Sequence, residues 1–318
     1  MAIKSLITKK FNLKKTFPLI LLIALCAIFT IFNSRFFTYN NFTIIAQQMV
    51  VTLIAALGMS FVIVIGSIDL SVGSIVALTA LVTAYTVPYL GIFAFIPAVI
   101  LGFICGTING VVFTKGKVPS FIVSMGAMVA YRGVVLLLTH GAPVEISDMT
   151  FLDVYSGRAI LNLPNSVLFA AGILIVIYFV FRDFAFSREV RAIGGAERVA
   201  RLSGIRVDRT KIIVFMLYGV LVGLAGMFQA ARVYAATPTL GEGMELDVIA
   251  AVVVGGTTLS GGVGSILGTL LGTFIISVLS NGMNIIGLAP EIQQIAKGIV
   301  LVLAVFATID RSKIDIFK

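Results

Sequence analysis

Apolar runs long enough to cross a bilayer follow one another along almost the whole chain, and they constrain the fold more than any other feature. A membrane-spanning helix needs about 20 mainly apolar residues. Only 12% of the residues are charged, whereas an ordinary soluble protein has about 25%. The sequence therefore predicts an all-α polytopic protein of the lipid bilayer, with residues 1–318 forming a single transmembrane domain.

About ten transmembrane helices are predicted, and two glycine-rich breaks, Gly66–Ser74 and Gly255–Ser265, precede the third and the ninth. Eight spans with two re-entrant segments would fit the same pattern. The ten predicted spans are Phe17–Asn33, Phe42–Ile65, a run ending near Tyr85, Gly91–Phe113, Pro119–His140, Asn165–Phe181, Ile212–Ala231, Val248–Val254, Ile266–Asn281 and Ile292–Ile309.

Charge is distributed unequally between the two predicted sides of the membrane. The loops Gly141–Pro164 and Tyr234–Asp247 hold six acids and one arginine. Cytoplasmic loops carry an excess of Lys and Arg, so these two loops are predicted outside and both termini in the cytoplasm. The net charge of +9 then reflects membrane topology and not nucleic-acid binding. The terminal cations are Lys4, Lys9, Lys10, Lys14 and Lys15 before the first span, and Arg311, Lys313 and Lys318 after the last.

The longest polar run, residues 182–211, contains eight Lys and Arg residues against four acids. This balance predicts a cytoplasmic loop. Its centre, Glu197–Ser203, has the composition of a short helix with Ala200 and Leu202 among charged neighbours, and Gly204 is suited to end it. The loop is either a solvated connector or a docking element for a soluble cytoplasmic subunit.

The two glycine-rich breaks resemble each other. Gly66, Leu70, Ser71 and Gly73 match Gly255, Leu259, Ser260 and Gly262 at constant spacing. The same order of features in both halves favours an internal duplication into two broken-helix repeats. Paired glycine-interrupted segments point to the pathway of a transporter.

Asp69 is the only acid within the interior stretches of the predicted spans. A charge at this depth costs roughly 2.5–3.5 kcal/mol on insertion scales, so its side chain should face protein or a water-filled cavity. It could accept hydrogen bonds from free backbone N–H groups where the helix is broken. The alternatives are contact with a polar solute and, if the break lies at the membrane surface, a solvated turn.

Further polar residues in or near the spans suit either an uncharged polyhydroxylated solute or hydrogen bonds between helices. Arg132 and Lys297 are predicted to anchor helices, with long side chains that reach the interface. The candidate pathway residues are Gln48, Asp69, Ser71, Asn109, Asn281 and Asn284, with Gln47 beside the first of them.

No catalytic constellation is found in the sequence. The segment Gly110–Val118 lacks the spacing and the Ser/Thr of a nucleotide-binding P-loop. His140 has no second ligand that would indicate a metal site, and Cys26 and Cys105 both fall inside predicted spans. The chain is therefore predicted not to be an enzyme and to carry no metal or other cofactor of its own.

Several motifs, in order from residue 42 to residue 309, resemble those of one family: the ribose-type permease subunits of sugar-importing ABC transporters, within the branched-chain amino acid/ribose permease superfamily. They are GSIDLSVGSIVAL (66–78), MGAMVAYRG (125–133), RAIGGAERVARLSGI (191–205), GGTTLSGGVGSILGTLLG (255–272) and NGMNIIG (281–287).

The resemblance implies a multi-pass protein of a bacterial or archaeal cytoplasmic membrane that moves a monosaccharide such as a pentose or hexose. It implies two ATP-binding subunits that hold ATP and Mg, an extracytoplasmic sugar-binding protein and a second permease copy. Residues 182–211 become the loop that couples to the ATPase. The expected coupling residues are Arg191, Gly194, Gly195, Glu197, Ala200, Arg201, Ser203, Gly204 and Ile205.

Other functions stay open on sequence grounds. Related permeases carry nucleosides or branched-chain amino acids. An ion-coupled secondary carrier would need intramembrane acids, and Asp69 is the only candidate. A membrane scaffold without transport activity would not need duplicated broken helices.

Overall fold

The computed structural model describes residues 13–158 and 163–308, and nearly all of them are helical. The helices are α1 (Leu13–Phe32), α2 (Tyr39–Val64), α3 (Val72–Leu90), α4 (Phe95–Lys115), α5 (Ser120–Thr139), α6 (Met149–Ser156), α7 (Asn165–Asp183), α8 (Ala185–Gly195), α9 (Glu197–Leu202), α10 (Val207–Val233), α11 (Met244–Val254), α12 (Ile266–Ile285) and α13 (Pro290–Thr308). Two short strands, β1 (Val144–Glu145) and β2 (Ala235–Ala236), pair antiparallel.

The prediction of an all-α membrane protein is confirmed. Among the described residues, six helical segments are long and apolar enough to cross a bilayer. One of them, Val72–Lys115, spans 44 residues and contains both α3 and α4. A helix overlaps each of the ten predicted positions, but the number ten stays a prediction. The end of the last predicted span, Ile309, and most of the terminal cations lie outside the described residues.

Helix α10 lies at the centre of the fold, where it packs against α4, α2 and α3. Its contact with α4 depends on glycine. A Cβ built on Gly102 would overlap the carbonyl oxygen of Gly219, and a Cβ on Gly219 would overlap that of Gly102. Small residues let membrane helices approach at backbone distance, where dispersion forces are strongest. The pair therefore fixes the spacing of the two helices that position the candidate site.

Both predicted breaks contain non-helical backbone, over residues 65–71 and 255–265, but Val72, Gly73 and Ser74 of the first predicted break already belong to α3. The helices before them end in the same way. At the first, Ser67 N–H donates to Val62 O at 3.0 Å, and at the second Thr257 N–H donates to Val252 O at 3.2 Å. Each cap has a left-handed glycine, Gly66 or Gly256, as in a Schellman motif. The two caps therefore align Gly66 with Gly256, whereas the sequence comparison aligned Gly66 with Gly255. The internal duplication itself stays a prediction.

The second predicted outer loop needs a correction, because Met244–Asp247 belong to α11. The segment before them, 237–243, reaches the start of α3, where a Cβ on Gly73 would overlap the carbonyl oxygen of Gly241. The segment that leads into α11 therefore packs against the start of α3, while Thr239 and Glu242 remain exposed.

Candidate functional site

The candidate site is centred on Asp69, which has no exposed surface. Its Oδ1 accepts hydrogen bonds from the Ser71 backbone N–H at 2.7 Å, the Ser71 hydroxyl at 2.5 Å and the Tyr218 hydroxyl at 3.3 Å. Asn109 Nδ2 donates to Oδ2 at 3.0 Å, and the Tyr131 hydroxyl donates to Asn109 Oδ1 at 3.2 Å. These five residues are called the carboxylate cluster.

The carboxylate cluster draws together elements that are distant in the sequence. Asp69 and Ser71 lie in the first break, while Asn109, Tyr131 and Tyr218 come from α4, α5 and α10. A buried carboxylate is tolerated only when hydrogen bonds replace its hydration, and here four donors surround it. Its burial contradicts the alternative of a solvated turn. Its full set of protein donors favours a structural role over direct contact with a solute.

The other candidate pathway residues do not join this cluster. Gln48 is half-buried in α2 and makes no hydrogen bond to any cluster member. Asn281 is buried with its Oδ1 unpartnered among the described residues. Asn284 is exposed and accepts a hydrogen bond from Gln293 Nε2 at 2.8 Å. Tyr131 and Tyr218 were not predicted, because a tyrosine in an apolar run gives no sign of its partner.

The polar run 182–211 folds into α8 and α9, here called the arm. The predicted short helix is confirmed as α9, and Ile205 N–H donates to Ala200 O at 3.1 Å across the left-handed Gly204. Helix α8 was not predicted. It buries Ser187, Val190 and Ile193 on one face, a spacing of three residues that is itself a helical signal.

The arm contacts both breaks through a set of close backbone approaches, here called the joint: Val64, Gly66, Gly194, Gly261 and Gly262. Gly262 N–H donates to Val64 O at 2.8 Å. A Cβ on Gly194 would overlap Val64 O and lie 2.5 Å from Gly262 N. A Cβ on Gly261 would lie 2.9 Å from both Gly194 O and Gly66 N. The end of α8 is thus wedged between the two breaks.

Ion pairs fasten α9 to the first turn of α10 and its neighbours. Arg201 lies 3.3 Å from Glu197 and 2.9 Å from Asp208, and Lys211 lies 2.8 Å from Glu197. The hydrogen bond from Lys211, with the charge of Arg201, lowers the pKa of Glu197 below its ordinary value. Solvent screens such pairs at a surface, so their effect is to orient α9 more than to stabilise the fold.

The nine expected coupling residues therefore have different environments. Ala200 is only 3% exposed and packs inside the arm because the helix turns that face inward; its part in coupling stays a prediction. Arg191 is half-buried, and its Nη1 donates to Phe181 O at 3.2 Å. Gly195, Ser203 and Gly204 are exposed, and Ile205 is half-buried.

The outer face of α9 carries two large apolar residues, Val199 and Leu202, of which only Leu202 was named in the predicted helix. Val199 is 61% exposed and Leu202 81% exposed, beside the exposed Arg198. Large apolar side chains in a charged, solvent-facing helix are typical of a surface that a partner covers. No group of three or more His, Cys, Asp or Glu that could hold a metal is found within residues 13–158 and 163–308.

Comparisons with known proteins give a consistent result. The ribose import permease protein of Escherichia coli strain K12 is 41% identical over 292 residues, covering 90% of this chain and 91% of that protein. The corresponding protein of Bacillus subtilis strain 168 is 39% identical over 311 residues, covering 95% and 94%. The xylose transport system permease protein of Escherichia coli strain K12 is 32% identical over 362 aligned positions, covering 94% and 92%.

No solved structure matches this chain. The family model described as the branched-chain amino acid transport system / permease component matches residues 41–305. This range includes the carboxylate cluster, the joint and the arm. The chain therefore belongs to the family of branched-chain amino acid transport system permease components.

Proposed function

We propose that the chain is the membrane-spanning permease subunit of an ATP-binding cassette importer for a monosaccharide, a ribose-like pentose or a hexose. Family membership and the names of the relatives, two ribose import permeases and a xylose transport permease, support this class of solute. Nucleosides and branched-chain amino acids are the alternative solutes, and the family description itself names the latter.

The observation that carries the mechanism is the joint. Helix α9 carries an exposed apolar and basic face, α8 connects it to the bundle, and Gly194 contacts Val64 and Gly262 at backbone distance. A push on α9 from a soluble subunit would therefore reach both breaks without passing through a flexible linker. In this proposal the partner subunit binds ATP and Mg and hydrolyses the nucleotide, and this chain supplies the pathway.

The assembly follows from the same proposal. Two ATP-binding subunits dock on the arms of two permease copies, and an extracytoplasmic binding protein delivers the solute to the opposite side of a bacterial or archaeal cytoplasmic membrane. The arm and both termini lie in the cytoplasm, which agrees with the basic charge of residues 182–211, because cytoplasmic loops carry an excess of Lys and Arg. About ten spans, with two broken-helix repeats, satisfy this topology.

Within this mechanism the carboxylate cluster holds the first break in shape. Asp69, Ser71 and Asn109 connect the break to α4, while Tyr218 connects it to α10. A break locked in this way can move as a unit with α3 and α4 when the arm pushes on Val64. Gln48, Asn281 and Asn284 stay proposed as separate polar positions along the pathway.

Uptake of radiolabelled D-ribose by cells that lack other pentose uptake tests the proposal. Cells that express this chain with its ATP-binding subunit and binding protein should accumulate the sugar, and cells that express the chain alone should not. Competition by unlabelled D-xylose, uridine or leucine distinguishes the solute classes. Uptake by the chain alone, driven by a proton or sodium gradient, would instead indicate a secondary carrier.

A further inference from the structure

A second polar site lies between α5, the start of α3 and the segment that leads into α11. It is a cavity of about 420 Å³. Arg132 lies 13th in α5, about 18 Å from the start of that helix at 1.5 Å per residue, which is well inside a hydrocarbon core of about 30 Å. The cavity is lined by Ser74, Val129, Arg132, Leu136, Glu242 and Glu245, among others.

Arg132 extends to the segment that leads into α11. Its Nη1 donates to the carbonyl oxygens of Pro238 and, at 2.8 Å, of Leu240. This contact agrees with the predicted anchoring role, because it fixes the segment before α11. Nε and Nη2 of Arg132 make no hydrogen bond within the part of the chain that the structure describes, so donors are left to face the cavity.

The two glutamates of the cavity also keep their hydrogen-bonding capacity. Neither Glu242 nor Glu245 forms an ion pair or a side-chain hydrogen bond to another described residue. A Cβ on Gly73 would lie 3.3 Å from Glu245 Oε2, so this carboxylate is close to the start of α3. Charged groups at membrane depth face the protein interior or water. Glu242 is exposed and Glu245 is half-buried, and neither makes a direct ion pair with Arg132, so the three groups indicate a cavity that water enters.

The wall that α5 contributes has room for a solute. Gly133 lines the cavity, and no atom lies within 4 Å of its built Cβ. Ser74 lies at the opposite wall, and its hydroxyl donates to Ser71 O at 2.8 Å. The cavity therefore borders the same turn of α3 that the carboxylate cluster holds.

We propose that Arg132, Glu242 and Glu245 form a polar station on the translocation pathway, which exchanges hydrogen bonds with the hydroxyl groups of a neutral sugar as it passes. A sugar hydroxyl both donates and accepts, so it can bind the carboxylates and the guanidinium together. The carboxylate cluster, which is closed by its own donors, then shapes the pathway, and this station contacts the solute. The inference rests on the proposed function and adds the site of contact.

Cysteine labelling of the chain alone tests whether the cavity contains water. Both variants are made in a background in which Cys26 and Cys105 are replaced by alanine. Leu136→Cys lies in the cavity. Leu137→Cys lies outside the cavity on the same membrane-spanning helix, where its 72% exposure is to lipid in this proposal. A charged thiol reagent needs water to form and reach the thiolate. We expect Leu136→Cys to react at least tenfold faster. Equal rates at the two positions would overturn the inference, whether or not the chain transports sugar.

Uptake by the complete transporter tests contact with the solute. Glu245→Gln should lower the maximal rate of D-ribose uptake at least fivefold with little change in the half-saturating concentration, which the binding protein sets. It should also change the rate ratio of D-ribose to 2-deoxy-D-ribose. Glu145→Gln, at an exposed position on β1, is the matched control.

Glu245→Asp, which keeps the charge, should recover part of the rate. Unchanged uptake by Glu245→Gln, or a loss that comes with a lower melting temperature, would overturn the proposed contact. Absence of D-ribose uptake by the unmodified transporter would count against the proposed function and leave the labelling result to decide the nature of the cavity.

Discussion

Gly194→Ala perturbs the joint with the smallest possible change. The new Cβ would overlap Val64 O and lie 2.5 Å from Gly262 N and 2.9 Å from the Val64 carbonyl carbon. Real Cβ contacts essentially never fall under 3.0 Å, and the overlap with Val64 O is the deepest of the three, so the backbones must separate by more than about 1 Å. The neighbouring Gly195→Ala is the control, because no atom lies within 4 Å of its built Cβ.

The cost follows from two terms. Overpacking of this kind costs about 1–3 kcal/mol. The separation also stretches the 2.8 Å hydrogen bond from Gly262 N–H to Val64 O, which contributes about 0.5–1.5 kcal/mol. We therefore expect Gly194→Ala to lower the free energy of unfolding by about 2–4 kcal/mol. Gly195→Ala should change it by less than about 1 kcal/mol, since alanine is favoured over glycine in a helix.

Two assays measure the effect of the substitution. Circular dichroism of the purified protein in detergent should show a melting temperature lowered by about 3–6 °C for Gly194→Ala, on the unfolding entropy typical of globular proteins. Sugar uptake by the complete transporter should fall with the first variant and not with the second. If Gly194→Ala and Gly195→Ala melt and transport alike, the arm does not press on the breaks as argued.

Three further predictions concern the cluster and the arm. Asp69→Leu removes the acceptor of the Ser71 N–H, the Ser71 hydroxyl and the Tyr218 hydroxyl, so we expect the free energy of unfolding to fall by about 3 kcal/mol or more, with a smaller loss for Asp69→Asn; equal melting temperatures would contradict the structural role. Leu202→Ser should leave melting unchanged and reduce co-purification of the ATP-binding subunit several-fold, and undiminished co-purification would exclude α9 as the docking surface. The pKa of Glu197 is lowered in the folded protein, so its ion pairs stabilise the fold at a pH above the ordinary pKa of 4.5. This stability is lost as the pH falls through the lower pKa of the folded state. The difference in melting temperature between the unmodified protein and Glu197→Gln should therefore disappear below that pH, and a difference that persists would refute the assignment.

The sequence predicted the parts of the fold that depend on local pattern. Apolar length located the long helices but not α6 or α8, and the composition around Gly204 located α9 and its end. The third span was expected to end near Tyr85, but α3 continues through Pro88 to Leu90. Proline in the last turn loses a single hydrogen bond, and the helix accommodates it there.

The rest depends on contacts between distant segments, which no local pattern encodes. Asp69 was recognised as a buried acid, but its donors Asn109 and Tyr218 come from helices that are 40 and 149 residues away. The spacing of Gly194 and Gly262 carries no sign that the two residues meet. Glu245 was assigned to an outer loop by its charge, because the entry of residues 237–243 into the bundle follows only from packing against Gly73.

The central claim is that the arm lies in the cytoplasm and receives the ATP-binding subunit. The most direct measurement labels Leu202→Cys, in the background without Cys26 and Cys105, with a membrane-impermeant maleimide. We expect no labelling from outside intact cells and rapid labelling in inverted membrane vesicles. Binding of the ATP-binding subunit to these vesicles should protect the cysteine from the maleimide. Labelling from outside intact cells would contradict the topology and the coupling mechanism together.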